Sequence, residues 1–147
     1  MKRHAMRTFV LTVAMIWLAS CQTTKPNQEG PTKMLIHYLE IVSHDVEAQI
    51  KALEQTHGLS FGPEVADLGQ ARVAEAPDGT FIAVRAPLAE HDQPITRTYL
   101  EVEDIAKAVE EAEAAGALIA YPPTRQGDTG TWAIYILGDA QIGLHQR

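Results

Sequence analysis

Two tripeptides, Tyr38-Leu39-Glu40 and Tyr99-Leu100-Glu101, set a phenol and a carboxylate two residues apart at two places in the chain. In an extended strand, residues two apart share a face. Each copy therefore presents a hydroxyl and an acid to the same side. Arg97 lies two residues before Tyr99, and Trp132 and Tyr135 add aromatic surface further on. Such a set suits recognition of a small organic molecule, because Tyr and Trp join an apolar body to a polar tip. It also suits an ordinary core, and core packing is the expectation for Trp132 and Tyr135. Nucleophilic chemistry is poorly supplied. The only cysteine is Cys21, and Ser43 and Ser60 stand outside any Gly-x-Ser-x-Gly elbow. Gln126-Gly127-Asp128-Thr129-Gly130-Thr131 leads into a strand-like run, so it fails the test of a phosphate loop, which must open a helix. It reads instead as a mobile loop at the mouth of the second half. His44, His57 and His91 fall near helix ends or in a loop and are expected to face solvent.

The elements that position these residues are written twice. Tyr38 recurs as Tyr99 at an offset of 61, and the acids Asp45 and Asp104 follow, each suited to cap a helix. Val46, Ile50 and Leu53 form one apolar stripe; Ile105, Ala108, Val109 and Ala112 form another. Gly58 and Gly116 close the two helices at the left-handed position. Arg72-Val73-Ala74-Glu75 then corresponds to Ala133-Ile134-Tyr135-Ile136, again 61 residues on. Turns at Pro77-Asp78-Gly79 and Gly138-Asp139-Ala140 lead to last strands at 80–85 and 141–145. Pro87 to Pro94, with His91 and Asp92, joins the halves. Each half reads β-α-β-β-β. One half has too small a core to stand alone, so two must pair their sheets around a shared cleft.

The chain has 147 residues, room for one domain, with 46% apolar and 21% charged residues. Lys2, Arg3 and Arg7 precede an apolar run of ten residues, Phe9 to Leu18. That run is too short for a comfortable membrane span of about 20 residues and has the proportions of a signal peptide. Its end, Leu18-Ala19-Ser20-Cys21, resembles the bacterial lipobox. The resemblance implies cleavage after residue 20 and lipidation of Cys21, hence a bilayer as partner. Gln22 stands where an Asp would imply inner-membrane retention, which favours the outer membrane, with the domain on the periplasmic side. The other reading takes Met34 as the true start and the cytoplasm as the place. Residues 21–33 read as the lipidated cysteine and a flexible tether without apolar residues after Cys21. Beyond residue 20 the chain keeps nine basic and 19 acidic residues, a formal charge of −10. That charge argues against nucleic acid as a partner. A single cysteine allows no internal disulfide and no cysteine-based zinc site.

Residues 34–147 resemble the vicinal oxygen chelate superfamily, which includes glyoxalase I, extradiol dioxygenases and the bleomycin and fosfomycin resistance proteins. The resemblance rests on Tyr-Leu-Glu-Val-Glu-Asp-Ile at 99–105, Ala-Glu-Ala-Ala-Gly-Ala at 112–117, Tyr-Pro-Pro-Thr at 121–124 and Gly-Asp-Ala-Gln-Ile-Gly-Leu at 138–144. It implies an α+β fold of two β-α-β-β-β modules whose paired mixed sheet forms a cleft. It also implies a divalent cation held by His, Glu or Gln from the first and last strands of each module, acting as a Lewis acid. The matching positions here are Tyr38, Arg97 and, at or near, Ala83 and Gly143. None is an ordinary ligand, and Arg97 would repel a cation. A one-residue register change would turn His37 into the cleft, and His145 shares the strand face of Gly143. A displaced set drawn from His37, Glu40, Glu101 and His145 is therefore the alternative.

The expectation is a metal-free, membrane-anchored module without a cofactor. It would bind a small molecule in the inter-module cleft through Tyr38, Glu40, Arg97, Tyr99, Glu101 and Trp132. The alternative is a divalent-metal-dependent lyase, isomerase or dioxygenase using His37, Glu101 and His145. A third reading is a structural partner domain that pairs its sheet with a second copy as a homodimer. Whether the modules pair within or between chains stays open at this level.

Overall fold

A computed structural model describes residues 34–147; the expected signal segment, Cys21 and the expected tether lie outside the described residues. The first module comprises β1 (Leu35–Val42), α1 (Val46–His57), β2 (Glu64–Val65), β3 (Ala71–Glu75) and β4 (Phe81–Arg85). The second comprises β5 (Ile95–Glu101), α2 (Ile105–Ala114), β6 (Leu118–Arg125), β7 (Thr131–Leu137) and β8 (Ala140–Gln146). The double β-α-β-β-β reading holds. Both capping acids act as expected: Asp45 accepts from the Ala48 amide and Asp104 from the Lys107 amide, each at 3.0 Å. Such a cap stabilises by about 0.5–2 kcal/mol. Gly58 ends α1 in the left-handed conformation, at φ +65°.

The modules join within one chain. All eight strands form a single sheet in the order β2-β3-β4-β1-β5-β8-β7-β6. Within the modules β1 runs parallel to β4 and β5 parallel to β8; the modules meet where β1 and β5 pair antiparallel, Tyr38 opposite Tyr99. Alternation along each strand then divides the side chains between two faces. One face is covered by the helices. Ile50 of α1 packs with Phe61, Ala74 and Val84, and Ile105 and Val109 of α2 pack with Ala133 and Leu144. The other face gathers Tyr38, Ala71, Ala83, Tyr99 and Trp132. That face forms the cleft.

The modules are unequal at their outer edges. β6 has eight residues, whereas β2 has two and passes into a short 3-10 turn at Ala66–Leu68. The turn and the β6–β7 hairpin approach each other across the cleft mouth. A Cβ on Gly127 would meet the Asp67 carboxylate, so a larger residue there would have to displace that side chain. The hairpin loop is tied by bonds from the Thr129 amide and hydroxyl to the Gln126 carbonyl, at 3.0 and 2.7 Å.

Candidate functional site

Tyr38 and Glu40 of β1 and Arg97 and Tyr99 of β5 meet on the cleft face at the seam between modules. Here period-two alternation and the antiparallel register act together: Tyr38 faces Tyr99 and Glu40 faces Arg97 directly across the pair. Glu40 is buried between two guanidiniums. Its Oε1 accepts from Arg85 Nε at 2.7 Å, and its Oε2 accepts from Arg97 Nη1 and, at 3.2 Å, from the Tyr99 hydroxyl. Arg85 continues to Asp92 Oδ2 at 2.6 Å, and Arg97 gives Nε and Nη2 to Gln141 Oε1 at 3.2 and 2.8 Å. The network is thus two cations and two anions, with Glu40, Arg85 and Arg97 each no more than 7% exposed. Charges taken out of water persist only when paired and hydrogen-bonded.

Local causes set the protonation of each group. Burial would lower Arg85, but Glu40 and Asp92 outweigh it and raise its pKa. Burial works against the Asp92 charge, yet the Leu88 amide and Arg85 prevail and hold the carboxyl below its ordinary range. Burial first, and then the Glu40 charge, push both Tyr38 and Tyr99 upward, so both phenols stay protonated donors.

Above the network lies a cavity of about 430 Å³. Tyr38, Tyr99 and Trp132 form its aromatic wall, with ring centroids 5.0–5.5 Å apart and edge-to-face. Leu68 and Leu88 of the first module and Tyr121 and Ile134 of the second contribute apolar surface, and Arg125 stands at the mouth. A second cavity of about 460 Å³ lies beneath the inter-module linker and shares Arg85, Leu88, Arg97, Tyr121 and Ile134 with the first. Of the six cleft residues expected from sequence, Tyr38, Glu40, Arg97, Tyr99 and Trp132 line the first cavity. Trp132 therefore serves both core and cleft, while Tyr135 packs toward α2. Glu101 is the exception: it pairs with Arg147 at 2.8 Å, off the cavity. Arg85, Asp92 and Gln141 were missed. Arg85 shares the Ala83 face by alternation, and that was the available signal; a charged residue ending an apolar strand must find a buried partner or leave the sheet.

The alternative ligand set is partly assembled, but not as ligands. β1 carries a bulge at His37, with Ile36 opposite Leu100 and Tyr38 opposite Tyr99. The extra residue turns His37 to the cleft side, where its ring stacks on His145 at 4.7 Å and 8° between planes. His145 also lies 4.1 Å from the Trp132 ring. Imidazole lone pairs lie in the ring plane, so stacked rings direct them along parallel planes and not to one ion. Glu101 is held by Arg147. Among the described residues no group of three or more His, Cys, Asp or Glu is arranged to hold a metal ion. At the positions implied by the resemblance, Tyr38, Ala83, Arg97 and Gly143 likewise do not fit one. The space beside Gly143 is filled by the Tyr99 ring, which a Cβ there would overlap. His145 Nε2 lies 2.8 Å from the Thr129 carbonyl, which can only accept, so Nε2 carries the proton; Nδ1 is buried without a partner. Burial lowers the pKa of both histidines, and His145 lowers His37 further.

No family model matches the sequence, and no curated protein sequence matches it. Solved structures do. A hypothetical protein from Bacillus halodurans superposes with a TM-score of 0.64 at 13% identity, covering 79% of this chain and 96% of that one. Methylmalonyl-CoA epimerase from Mycobacterium tuberculosis gives 0.62 at 16% identity over 80% and 93% of the two chains. A Streptomyces coelicolor methylmalonyl-CoA epimerase gives 0.53 at 17% over 76% and 95%. Identities this low speak for architecture alone. With the eight-stranded mixed sheet and two helices already in place, they establish that this chain has the glyoxalase-like fold of the vicinal oxygen chelate superfamily.

Proposed function

We propose that the domain is a metal-free binding module that holds a small organic molecule in the inter-module cavity. The observation that carries this reading is the state of Glu40. Both its oxygens already accept from Arg85, Arg97 and Tyr99, so the one expected carboxylate that does line the cavity is committed to holding the wall. It is not free to abstract a proton or ligate a cation. A cavity of about 430 Å³ with aromatic walls is in the range of small-molecule sites, roughly 300–1,000 Å³. Its polar groups fix one another before any ligand arrives, which reduces the ordering cost of binding. The lipobox at residues 18–21 supports a tether to the bilayer through Cys21, with the module on the periplasmic face.

The test is a thermal-stability screen of the purified full chain against a broad small-molecule library, with metal content measured by elemental mass spectrometry on the same sample. Binders that raise the melting temperature and change tryptophan emission are expected, without stoichiometric metal. A library that produces no binder would sink the reading. About one tightly held metal per chain would replace it with a metalloenzyme reading. For the anchor, Cys21→Ser is expected to move the protein from the membrane to the soluble fraction; unchanged fractionation would refute it.

A further inference from the structure

The loop at the cavity mouth, residues 126–130, is bonded mostly to itself. The Thr129 amide and hydroxyl donate to the Gln126 carbonyl, and the Gln126 amide donates to the Gly130 carbonyl. Arg125 Nε donates to the Gly127 carbonyl, Gln126 Nε2 to the Tyr121 hydroxyl and Trp132 Nε1 to Thr129 Oγ1. All of these bonds stay within the β6–β7 hairpin. Among the described residues, one hydrogen bond ties the loop to another strand: His145 Nε2 of β8 donates to the Thr129 carbonyl at 2.8 Å. The approach there is close, since a Cβ on Gly130 would meet His145 Nε2 at 2.6 Å. Tyr121, Gln126 and Trp132 line the cavity, so this single bond helps to fix its mouth.

The bond depends on a histidine with no place for a second proton. His145 is 2% exposed, and its Nδ1 is buried without a partner among the described residues. Neutral, with the proton on Nε2, the ring leaves only a lone pair unmatched. Protonated, it would bury an unpaired N–H donor together with a positive charge, which costs far more. The surroundings give little relief. His37 of β1 stacks on the ring at 4.7 Å, so a second imidazolium would repel the first. Phe81 of β4 and Trp132 of β7 bring rings without charge. Glu101 of β5 favours the protonated forms, but it is held by Arg147, whose charge opposes them. Proton uptake therefore favours a conformation in which the rings part and Nδ1 reaches water, and turning the His145 ring takes Nε2 off Thr129. We propose that the His37–His145 stack is a proton-sensitive latch: neutral, it holds the 126–130 loop and Trp132 over the cavity; protonated, it parts and frees them. Burial, first among the causes, lowers both latched rings, while parted rings regain the ordinary value near 6.5. The latch is thus shut above about pH 6.5 and yields as pH falls below that value. It acts on the cavity of the binding-module reading, and its test needs no ligand.

The test is acrylamide quenching of the full chain carrying Trp17→Phe, which leaves Trp132 as its only tryptophan. It runs between about pH 7.5 and 5, with far-UV circular dichroism at each pH. Quenching is taken relative to the unquenched emission at the same pH, which removes the direct effect of an imidazolium on the indole. The quenching constant is expected to rise severalfold below about pH 6.5 while the circular dichroism holds. His145→Phe keeps a ring but has neither the proton nor the bond to Thr129, so it is expected to show high access at neutral pH and no pH dependence. His37→Phe keeps the Thr129 bond and removes one of the two charges; it is expected to match the native chain at neutral pH and to open only at lower pH. Access that stays constant in the native chain, or rises only where the circular dichroism is lost, would overturn the latch. Opening unchanged by His37→Phe would overturn the part played by the stack. Binders in the broad library with a mouth indifferent to pH would overturn this inference alone, whereas a working latch without any binder would sink only the binding module.

Discussion

The two faces of the one sheet are built from alternate residues of the same strands, yet their chemistry differs. In β1, Leu39 and Ile41 point to the helix side while Tyr38 and Glu40 point to the cleft. The helix face is aliphatic, with Ile50, Val84, Ile105 and Leu144 at its centres. Its contribution is non-directional burial, and similar apolar shapes would serve. The cleft face is aromatic and ionic, and its parts hold one another by directed bonds. Directed bonds tolerate little change, because a removed partner leaves a buried charge or donor unpaired. The comparison teaches that one face is held by burial and the other by directed pairing, at a stability cost that the first must offset.

The comparison breaks most visibly at Glu40. Glu40→Gln leaves Arg85 and Arg97 short of a counter-charge, and a loss of about 3–5 kcal/mol is expected by urea denaturation; a loss below 1 kcal/mol would mean that solvent screens the network. Gly143→Ala forces a methyl group into the Tyr99 ring, and about 1–3 kcal/mol of overpacking cost is expected. An unchanged denaturation midpoint would show that the ring moves freely. On the helix face, Ile50→Val should cost about 0.5–1.5 kcal/mol and leave ligand affinity as it was. A change in affinity would dissolve the division between faces.

The smallest effect is the pH response of the stacked histidines. Both are held below the ordinary histidine value, chiefly by burial. The unfolded chain therefore takes up protons first as pH falls. The stability they contribute is full above pH about 6.5 and declines as pH drops through that value toward the folded-state pKa values. Nearby Glu101 opposes the shift and Arg147 reinforces it. Urea midpoints should fall between about pH 7.5 and 5 in the native chain, and less in His145→Phe. An equal fall in both would assign the response to other groups.

Much of the fold was written locally. Asp45 and Gly58 bound α1, and the 61-residue recurrence of Tyr-Leu-Glu gave the double module, because caps, apolar periodicity and turns act over a few residues. Alternation put Tyr38 with Glu40, and Arg97 with Tyr99, on one face each, so most of the cleft wall was legible too. Arg85 was not, since nothing near it in sequence reveals that Glu40, 45 residues away, is its partner. His37 depended on a bulge that alternation does not encode, and the local pattern around Glu101 resembles that around Glu40 even though one meets Arg147 and the other two arginines. By itself the sequence determined the elements, their repetition and the faces of their strands. Only the tertiary structure decided that the modules pair within one chain and which phenol donates to Glu40. Those outcomes depend on register and long-range ion pairing, which arise between strands and belong to no single segment.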